Sequence, residues 1–197
     1  MPELNTVTDP NLPEPKGAST ASQGMIYLSD GAGSGSWKHL PSGWAYYQDG
    51  GSGQSVGTSQ TLLTNNKAGT GTYEDKLPYE IRGSGTLWSA NTLTPINDGD
   101  AYNVRLDLPV TAKTGSPSSL ELILDIGGSG VGATIPIVRR EVSVNNAPPF
   151  TLSLGFPIHC RSTFLSNGGQ FYLKTDTGTV TVTNPAIHIA MDHSGEL

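Results

Sequence analysis

The 197-residue sequence lacks most of what a disulfide-linked, membrane-spanning or nucleic-acid-binding protein needs. Its single cysteine, Cys160, excludes an intrachain disulfide. No apolar run approaches the roughly 20 residues that span a bilayer, and the first residues have no signal-peptide pattern, so we expect a chain that is made and kept in the cytosol unless it leaves inside an assembly. The 11 Lys and Arg are not gathered in a stripe, and the chain has a net charge of −6, which argues against direct binding of nucleic acid.

Helical patterns are missing as well, because 25 glycines and 14 prolines interrupt almost every window of the sequence. An alternation of apolar and polar residues takes their place from residue 86 onward, with turn sequences between the alternating segments. The alternation predicts half-buried antiparallel strands at 101–108, 119–126, 150–156, 170–175, 179–183 and 186–192. Strands that follow each other without helices predict an all-β sandwich or jelly roll over residues 45–197.

The middle of the chain alternates less clearly. The segments 44–48 ("WAYYQ") and 61–65 ("TLLTN") are candidate strands. The Gly-rich segments 50–60 and 65–75 are typical of long surface loops.

Residues 1–24 carry four prolines but only three sizeable aliphatic residues. Ordering this segment costs roughly 24 to 48 kcal/mol of backbone entropy, whereas burying three aliphatic side chains returns about 5 to 9 kcal/mol. The segment therefore predicts either an unstructured tail or an extended arm that orders on a partner, for which the fixed φ of proline reduces the entropy loss. We assign the contacts of this arm to Leu4, Val7, Leu12, Pro13, Pro15 and Lys16.

The segment "YLSDGAGSGSWKHLPSGW" (27–44) raises the question of a phosphate-binding loop. Such loops need a helix N-terminus directly after the glycines, and the residues after Gly35 do not start a helix. A disordered linker would leave Tyr27, Trp37 and Trp44 in solvent. We therefore predict that residues 25–44 form a strand–turn–strand module in which these three aromatic residues pack.

Few residues are candidates for metal binding. The four histidines are His39, His159, His188 and His193. His159 precedes Cys160, but neighbouring residues of a strand point to opposite faces and do not easily share an ion. Polar strand positions explain the histidines better, so we expect no metal site and no cofactor.

The candidates for catalysis are as few. Cys160 with His159 or His188 is a conceivable nucleophile pair, but no motif defines an oxyanion hole, and a buried cysteine is commoner. Asp98 and Asp100 flank Gly99 and suit either Ca²⁺ or glycoside chemistry, or simply a solvated turn. We therefore expect a protein that is not an enzyme.

Carbohydrate binding would need aromatic residues exposed on one surface. Tyr46, Tyr47, Tyr73 and Tyr79 are the candidates for such a surface. Roles in the core or in an interface are the alternative for all four.

The segment "EPKGASTASQGMIYLSDGAGSGSW" (14–37) resembles an N-terminal module of tailed-bacteriophage virion proteins, including head-decoration, head-fibre and tail-fibre-like proteins. The later blocks "GDAYNVRLDLPV", "LELILDIGG" and "FPIHCRSTFLSNGGQFYLKT" resemble the jelly-roll part of the same proteins. The resemblance covers most of the chain apart from about residues 45–85. It implies a homotrimer of jelly-roll subunits similar to the tumour-necrosis-factor fold, held to the particle by extended N-terminal segments.

The resemblance leads to a hypothesis of capsid decoration. An arm of residues 1–24 would bind the major capsid protein, the 25–44 module would follow it, and the β domain of residues 45–197 would project from the virion. The aliphatic residues of 134–144 would line the contact between subunits. The alternative is a tail-fibre or head-fibre adhesin whose loops 50–59 and 65–75 recognise a host-surface glycan.

Overall fold

The computed structural model describes residues 25–29, 32, 35–39, 42–77, 87–128 and 136–193, with the backbone alone at 29, 39 and 136–139. The chain divides into two units, Met1–Leu40 and Pro41–Leu197. The arm residues Leu4 to Lys16, the tip of the Gly-rich turn and Tyr79 lie outside the described residues, as do the side chains of His39 and of half of the 134–144 segment.

The described part of the first unit is one β-hairpin. Strand β1 (Met25–Ser29) pairs antiparallel with β2 (Gly35–His39), and Tyr27 lies directly opposite Trp37. Their rings pack edge to face with centroids 5.4 Å apart. The glycine–serine segment thus lies between two paired strands of the described residues.

The described part of the second unit is built almost entirely from antiparallel strands. These are β3 (Gly43–Gln48), β4 (Gln54–Val56), β5 (Thr61–Leu62), β6 (Trp88–Ser89), β7 (Thr92–Leu93), β8 (Ala101–Thr114), β9 (Ser119–Asp125), β10 (Pro136–Ser143), β11 (Phe150–His159), β12 (Gly169–Thr175), β13 (Thr179–Val182) and β14 (Ala186–His193). One helix, α1 (Ser162–Asn167), connects β11 to β12. No helix in the described part of the chain has the length and hydrophobicity to span a bilayer.

The pairing of these strands gives a jelly roll. In the first sheet, which we call sheet I, β8 lies between β11 and the β13–β14 segment, which in turn pairs with β3 and β4. In the second, sheet II, β12 pairs with β5 and β7 on one side and with β9 on the other, and β9 pairs with β10. The first strands of the unit thus pair with the last, and successive strands pair inward from there, as in a long hairpin rolled into two sheets. The prediction of an antiparallel jelly-roll sandwich is confirmed.

The core between the sheets follows the predicted alternation. Leu106 and Leu108 of sheet I and Leu122 and Leu124 of sheet II are fully buried. Phe171 lies at the centre, stacked on Trp88 at 5.9 Å and edge to face with Phe156 at 6.0 Å. The remaining inward residues that the sequence predicted and that the structure buries are Tyr102, Val104, Leu120, Ile126, Leu173, Val180, Val182, Ile187, Ile189 and Met191.

Several short elements differ from the sequence prediction, among them β4, β6, β7 and α1. The 50–60 segment contains β4, whose Val56 is fully buried and lies opposite Val180, so this stretch is not all surface loop. A three-residue strand between glycines is too short to show a periodic pattern. Helix α1 was missed for the same reason, since its six residues bury only Phe164.

The 65–75 segment has no strand of its own, but it is anchored. Asn65 is buried and donates hydrogen bonds from Nδ2 to the carbonyls of Tyr47 (3.0 Å) and Pro185 (2.9 Å). The Trp88 indole donates to the Asn65 carbonyl at 3.1 Å. These bonds fix the start of the loop against the core.

Candidate functional site

The outer face of sheet I carries a row of side chains across adjacent strands. Tyr46 on β3 lies opposite His188 on β14, His188 opposite Arg105 on β8, and Arg105 opposite Gly155 on β11. Tyr73, from the anchored loop, pairs with Tyr46 beyond the edge of β3. Directly paired residues share a face, so the alternation that buries one side of each strand presents these residues outward. We call Tyr73, Tyr46, His188, Arg105 and Gly155 the outer row.

Trp44 adds a second aromatic surface next to the outer row. It lies opposite Ala190, and its indole stacks on the His188 ring with centroids 5.8 Å apart and planes 26° apart. Trp44 is 39% exposed and Tyr73 is 53% exposed, which is unusual for large aromatic side chains on a folded domain. The sequence predicts that Trp44 packs with Tyr27 and Trp37 in the 25–44 module, whereas in the structure it lies on β3, which pairs with β14.

Polar groups surround these rings and are held in place by hydrogen bonds. Arg105 forms an ion pair with Asp107, with Nη2 and Oδ2 3.1 Å apart, and Ser153 donates to the same carboxylate at 2.6 Å. Asn103 donates a hydrogen bond to Asp192 on the neighbouring strand. The polar side chains are therefore oriented rather than free to rotate.

Burial is the main cause that lowers the pKa of His188, and the positive charge of Arg105 adds to it. Both effects favour the neutral imidazole. A neutral ring donates one hydrogen bond and accepts another, and it can stack on Trp44 without the hydration that an imidazolium ion requires.

A depression of about 360 Å³ opens in this face beside the outer row. Its floor includes Gly155, where an added Cβ would meet no atom within 4 Å. The side chains around it are those of Asn103, Arg105, Pro157, His188 and Ala190. Glycine in the interior of a strand often marks a place where a ligand or another backbone approaches closely.

The other carbohydrate candidates have different locations. Tyr47 is fully buried, with its ring 6.4 Å from Trp88, so it belongs to the core. The loop 65–75 contributes Tyr73 to the outer row, whereas 50–59 contributes a core strand. Sequence reasoning missed Asn103, Arg105 and Gly155, although a glycine at an outward position of the alternating segment 150–156 was a usable signal.

The residues considered for catalysis have structural roles. Asp100 is fully buried, and its Oδ2 accepts hydrogen bonds from the Tyr102 hydroxyl (2.7 Å) and from the backbone N–H groups of Ile96 (3.1 Å) and Asn97 (2.9 Å). Asp98 accepts a hydrogen bond from the N–H of Ser162 at the start of α1, at 3.0 Å. Both carboxylates thus fix the connection that leads into β8.

Cys160 is buried beside this connection, and its N–H donates to the Asp100 carbonyl at 2.7 Å. Burial, with smaller contributions from the charges of Asp100 and Asp98, raises the pKa of the thiol to about 11. His159 and His193 are exposed and both lie opposite Ala101. In the described part of the chain, no three His, Cys, Asp or Glu side chains are placed to share a metal ion.

No protein-family model matches this chain, and no curated protein matches it. Among solved structures it is similar to Eiger TNF from S. frugiperda, at 10% identity over 80% of this chain and 97% of that chain, with a TM-score of 0.41. It is also similar to the PRD1 vertex protein P5, at 14% identity over 87% and 82% of the two chains, with a TM-score of 0.41. A cowpea mosaic virus empty particle gives 11% identity over 78% and 79%, with a TM-score of 0.36. Likenesses this distant carry no argument about function, because one β architecture serves many unrelated functions.

Proposed function

We propose that this protein is a non-enzymatic structural protein of a tailed-bacteriophage virion that decorates and stabilises the capsid. An arm of residues 1–24 binds the major capsid protein, and three copies of the chain form a homotrimer whose jelly rolls project outward. The complex assembles in the host cytoplasm and remains in the virion. No cofactor, metal, membrane or nucleic acid takes part.

The observation that carries the proposal is the resemblance of residues 14–37 to the N-terminal module of phage virion proteins. In support, the second half of that segment forms the β1–β2 hairpin, stabilised by the Tyr27–Trp37 contact. The hairpin lies in the unit Met1–Leu40, and the jelly roll lies in the unit Pro41–Leu197. The jelly roll has a hydrophobic core of its own. An anchoring segment and a projecting domain are the two parts that decoration requires.

The contacts and burial of the candidate catalytic side chains support the non-enzymatic part of the proposal. Asp98 and Asp100 are engaged as hydrogen-bond acceptors, and the raised pKa of Cys160 keeps its thiol protonated. A nucleophilic cysteine needs the opposite, an accessible thiolate with a lowered pKa.

In a trimer, arms that each bind the capsid weakly are together sufficient to hold the protein on the particle. Once one arm of a trimer is bound, the other two bind at a high effective concentration, which raises avidity without any new contact. A trimer that bridges several capsid subunits also resists their separation, and this is how the particle would gain stability.

The test uses capsids assembled without this chain and the full-length protein added back. Replacing Leu4, Val7 and Leu12 together by serine removes the apolar contacts of the arm and should weaken capsid binding about tenfold or more. A matched control changes the neighbouring polar residues Asn5, Thr6 and Thr8 to alanine and should bind normally. Binding is measured by cosedimentation, and unchanged binding of the serine variant contradicts the role of the arm.

The homotrimer is tested separately by sedimentation equilibrium. The expected mass is three times the chain mass of 20.6 kDa. A monomer at micromolar concentration contradicts the trimer but leaves capsid binding open to the preceding test.

A further inference from the structure

The outer face of sheet I has dimensions that suit a small ligand. Neighbouring backbone segments lie about 4.8 Å apart, so the outer row extends over roughly 19 Å from Tyr73 to Gly155. The depression at its Gly155 end, about 360 Å³, falls within the range of roughly 300 to 1,000 Å³ that is usual for small-molecule sites. Gly155 is the residue that keeps it open, because any larger side chain would project into it.

The chemistry of the face is that of a sugar-binding surface. A pyranose ring has an apolar C–H face and a rim of hydroxyl groups, so it needs a flat aromatic surface bordered by planar donors and acceptors. Trp44 supplies an exposed aromatic surface, braced by His188. Asn103 and Arg105 supply donors beside the depression, and both are already oriented by carboxylates.

Charge favours a neutral sugar over an acidic one. Arg105 is the cation among the side chains that line the depression, and Asp107 already neutralises it. Asp192 adds a further acidic group through its contact with Asn103. A carboxylate or sulfate on the ligand would meet these acidic groups without an unengaged cation to compensate for them.

A second copy of the chain suits this face less well. A stable homomeric interface buries about 800 Å² on each partner, and its core is largely apolar. The exposed large apolar side chains of the described residues are Ile26, Trp44, Tyr73 and Ile96. Of these, Trp44 and Tyr73 lie on this face, among Arg, Asn, Asp, Ser and Thr side chains, which is too little apolar area for such a core.

From this geometry we infer that the outer face of sheet I binds a neutral oligosaccharide, with one pyranose ring on Trp44 and a ring about three units further along the same molecule in the depression over Gly155, three strands away. The site lies on the sheet rather than on the loops 50–59, and it does not rest on capsid attachment through the arm. A decoration protein with this site would bring the particle into contact with neutral glycans of a cell surface.

The test uses the full-length protein with three neutral tetrasaccharides as probes: maltotetraose, cellotetraose and fully N-acetylated chitotetraose. A sulfated heparin tetrasaccharide is the acidic comparison. Saturation-transfer NMR detects binding, and titration of tryptophan fluorescence gives the affinity. We expect at least one neutral probe to bind and the sulfated probe to bind at least about tenfold more weakly.

Two variants test the position of the site. Trp44→Ala removes the stacking surface and Gly155→Val fills the depression, and each should weaken binding about tenfold or more. Trp37→Ala makes the same change in the hairpin, and Thr151→Val places a valine elsewhere on the outer side of β11 without filling the depression, so both should bind as the unaltered chain does. Thermal unfolding of every variant checks that the fold is intact.

Several results would overturn the inference. These are binding of none of the neutral probes, tighter binding of the sulfated one, or equal binding by the unaltered chain and the Trp44→Ala and Gly155→Val variants. A change of oligomeric state in Trp44→Ala would also overturn it, since the face would then be a contact between copies. Capsid cosedimentation is unaffected by any of these results, so the proposed function stands or falls separately.

Discussion

The hydrogen bonds to Asp100 predict a large effect from a single side chain. The change is Asp100→Ala, which removes the Oδ2 atom that accepts from the Tyr102 hydroxyl and from two backbone N–H groups. Burial, and then the hydrogen bond to Asp100, raise the pKa of Tyr102, so its hydroxyl stays protonated and needs an acceptor. The variant therefore leaves a buried donor without its partner.

The magnitude follows from the burial of each donor. A hydrogen bond to a charged group contributes about 1.5 to 3 kcal/mol, and an orphaned buried donor costs about 1 to 3 kcal/mol. The Tyr102 hydroxyl is fully enclosed, whereas the N–H groups of Ile96 and Asn97 are partly exposed and can be hydrated. We expect Asp100→Ala to lower the free energy of unfolding by about 3 kcal/mol. Tyr102→Phe removes the hydroxyl, so no buried donor is left without an acceptor, and it should lower the free energy of unfolding by about 1 kcal/mol.

The assay is urea unfolding followed by tryptophan fluorescence, with buried Trp88 as the main reporter. Protein concentration is held constant because an oligomer unfolds in a concentration-dependent way. The double variant should lose about as much as Asp100→Ala alone, which gives a coupling energy of roughly 1 kcal/mol between the two side chains.

Two results would refute this reasoning. A loss below about 1 kcal/mol in Asp100→Ala would mean that the buried carboxylate is not needed as an acceptor. Strict additivity in the double variant would mean that the Tyr102–Asp100 hydrogen bond does not contribute to stability.

Three further predictions concern other residues. Because its pKa is raised to about 11 and it is buried, Cys160 should resist iodoacetamide at pH 8 in the native protein and react in urea; rapid native labelling would contradict its burial. Hydrogen bonds from the Ser118 hydroxyl and from neighbouring N–H groups lower the pKa of Asp176. The ionised Asp176 therefore contributes fully to folding stability above the unfolded-state pKa of about 3.9, and this contribution is lost as the pH falls below that value. Asp176→Asn should therefore lower the melting temperature at pH 7 and make the melting temperature fall less between pH 7 and pH 2. If the variant's melting temperature falls as steeply as that of the unaltered chain, other carboxylates cause the acid destabilisation. Gly178→Ala should lower the free energy of unfolding by about 2 kcal/mol or more, since φ is +57° and the added Cβ would lie 2.1 Å from the Thr114 carbonyl oxygen. The matched change Gly155→Ala places its Cβ in open space and should alter the free energy of unfolding by less than about 0.5 kcal/mol. Equal melting temperatures for the two variants would contradict this prediction.

Much of the β domain could be predicted from the sequence. The alternation in 101–108 and 119–126 placed Leu106 and Leu124 in the core correctly, because a strand with one buried face carries its burial pattern in consecutive residues. The same reasoning failed for β4 and α1, which are too short to show a period. It also could not tell Tyr47, in the core, from Tyr46, on the surface, until the register of β3 against β14 was known.

The sequence by itself determined the all-β class and the inward residues of the long strands. These properties are local, since each depends on residues within a few positions of one another. Only the tertiary structure decided that Trp44 stacks on His188, that Asp100 is a buried acceptor, and that Arg105 and Gly155 border one depression. Trp44 and His188, and likewise Arg105 and Gly155, are far apart in the chain, and strand register, which depends on the packing of the whole sandwich, brings them together. Asp100 is close in sequence to its partners Ile96, Asn97 and Tyr102, but its burial depends on the packing of the sandwich around it.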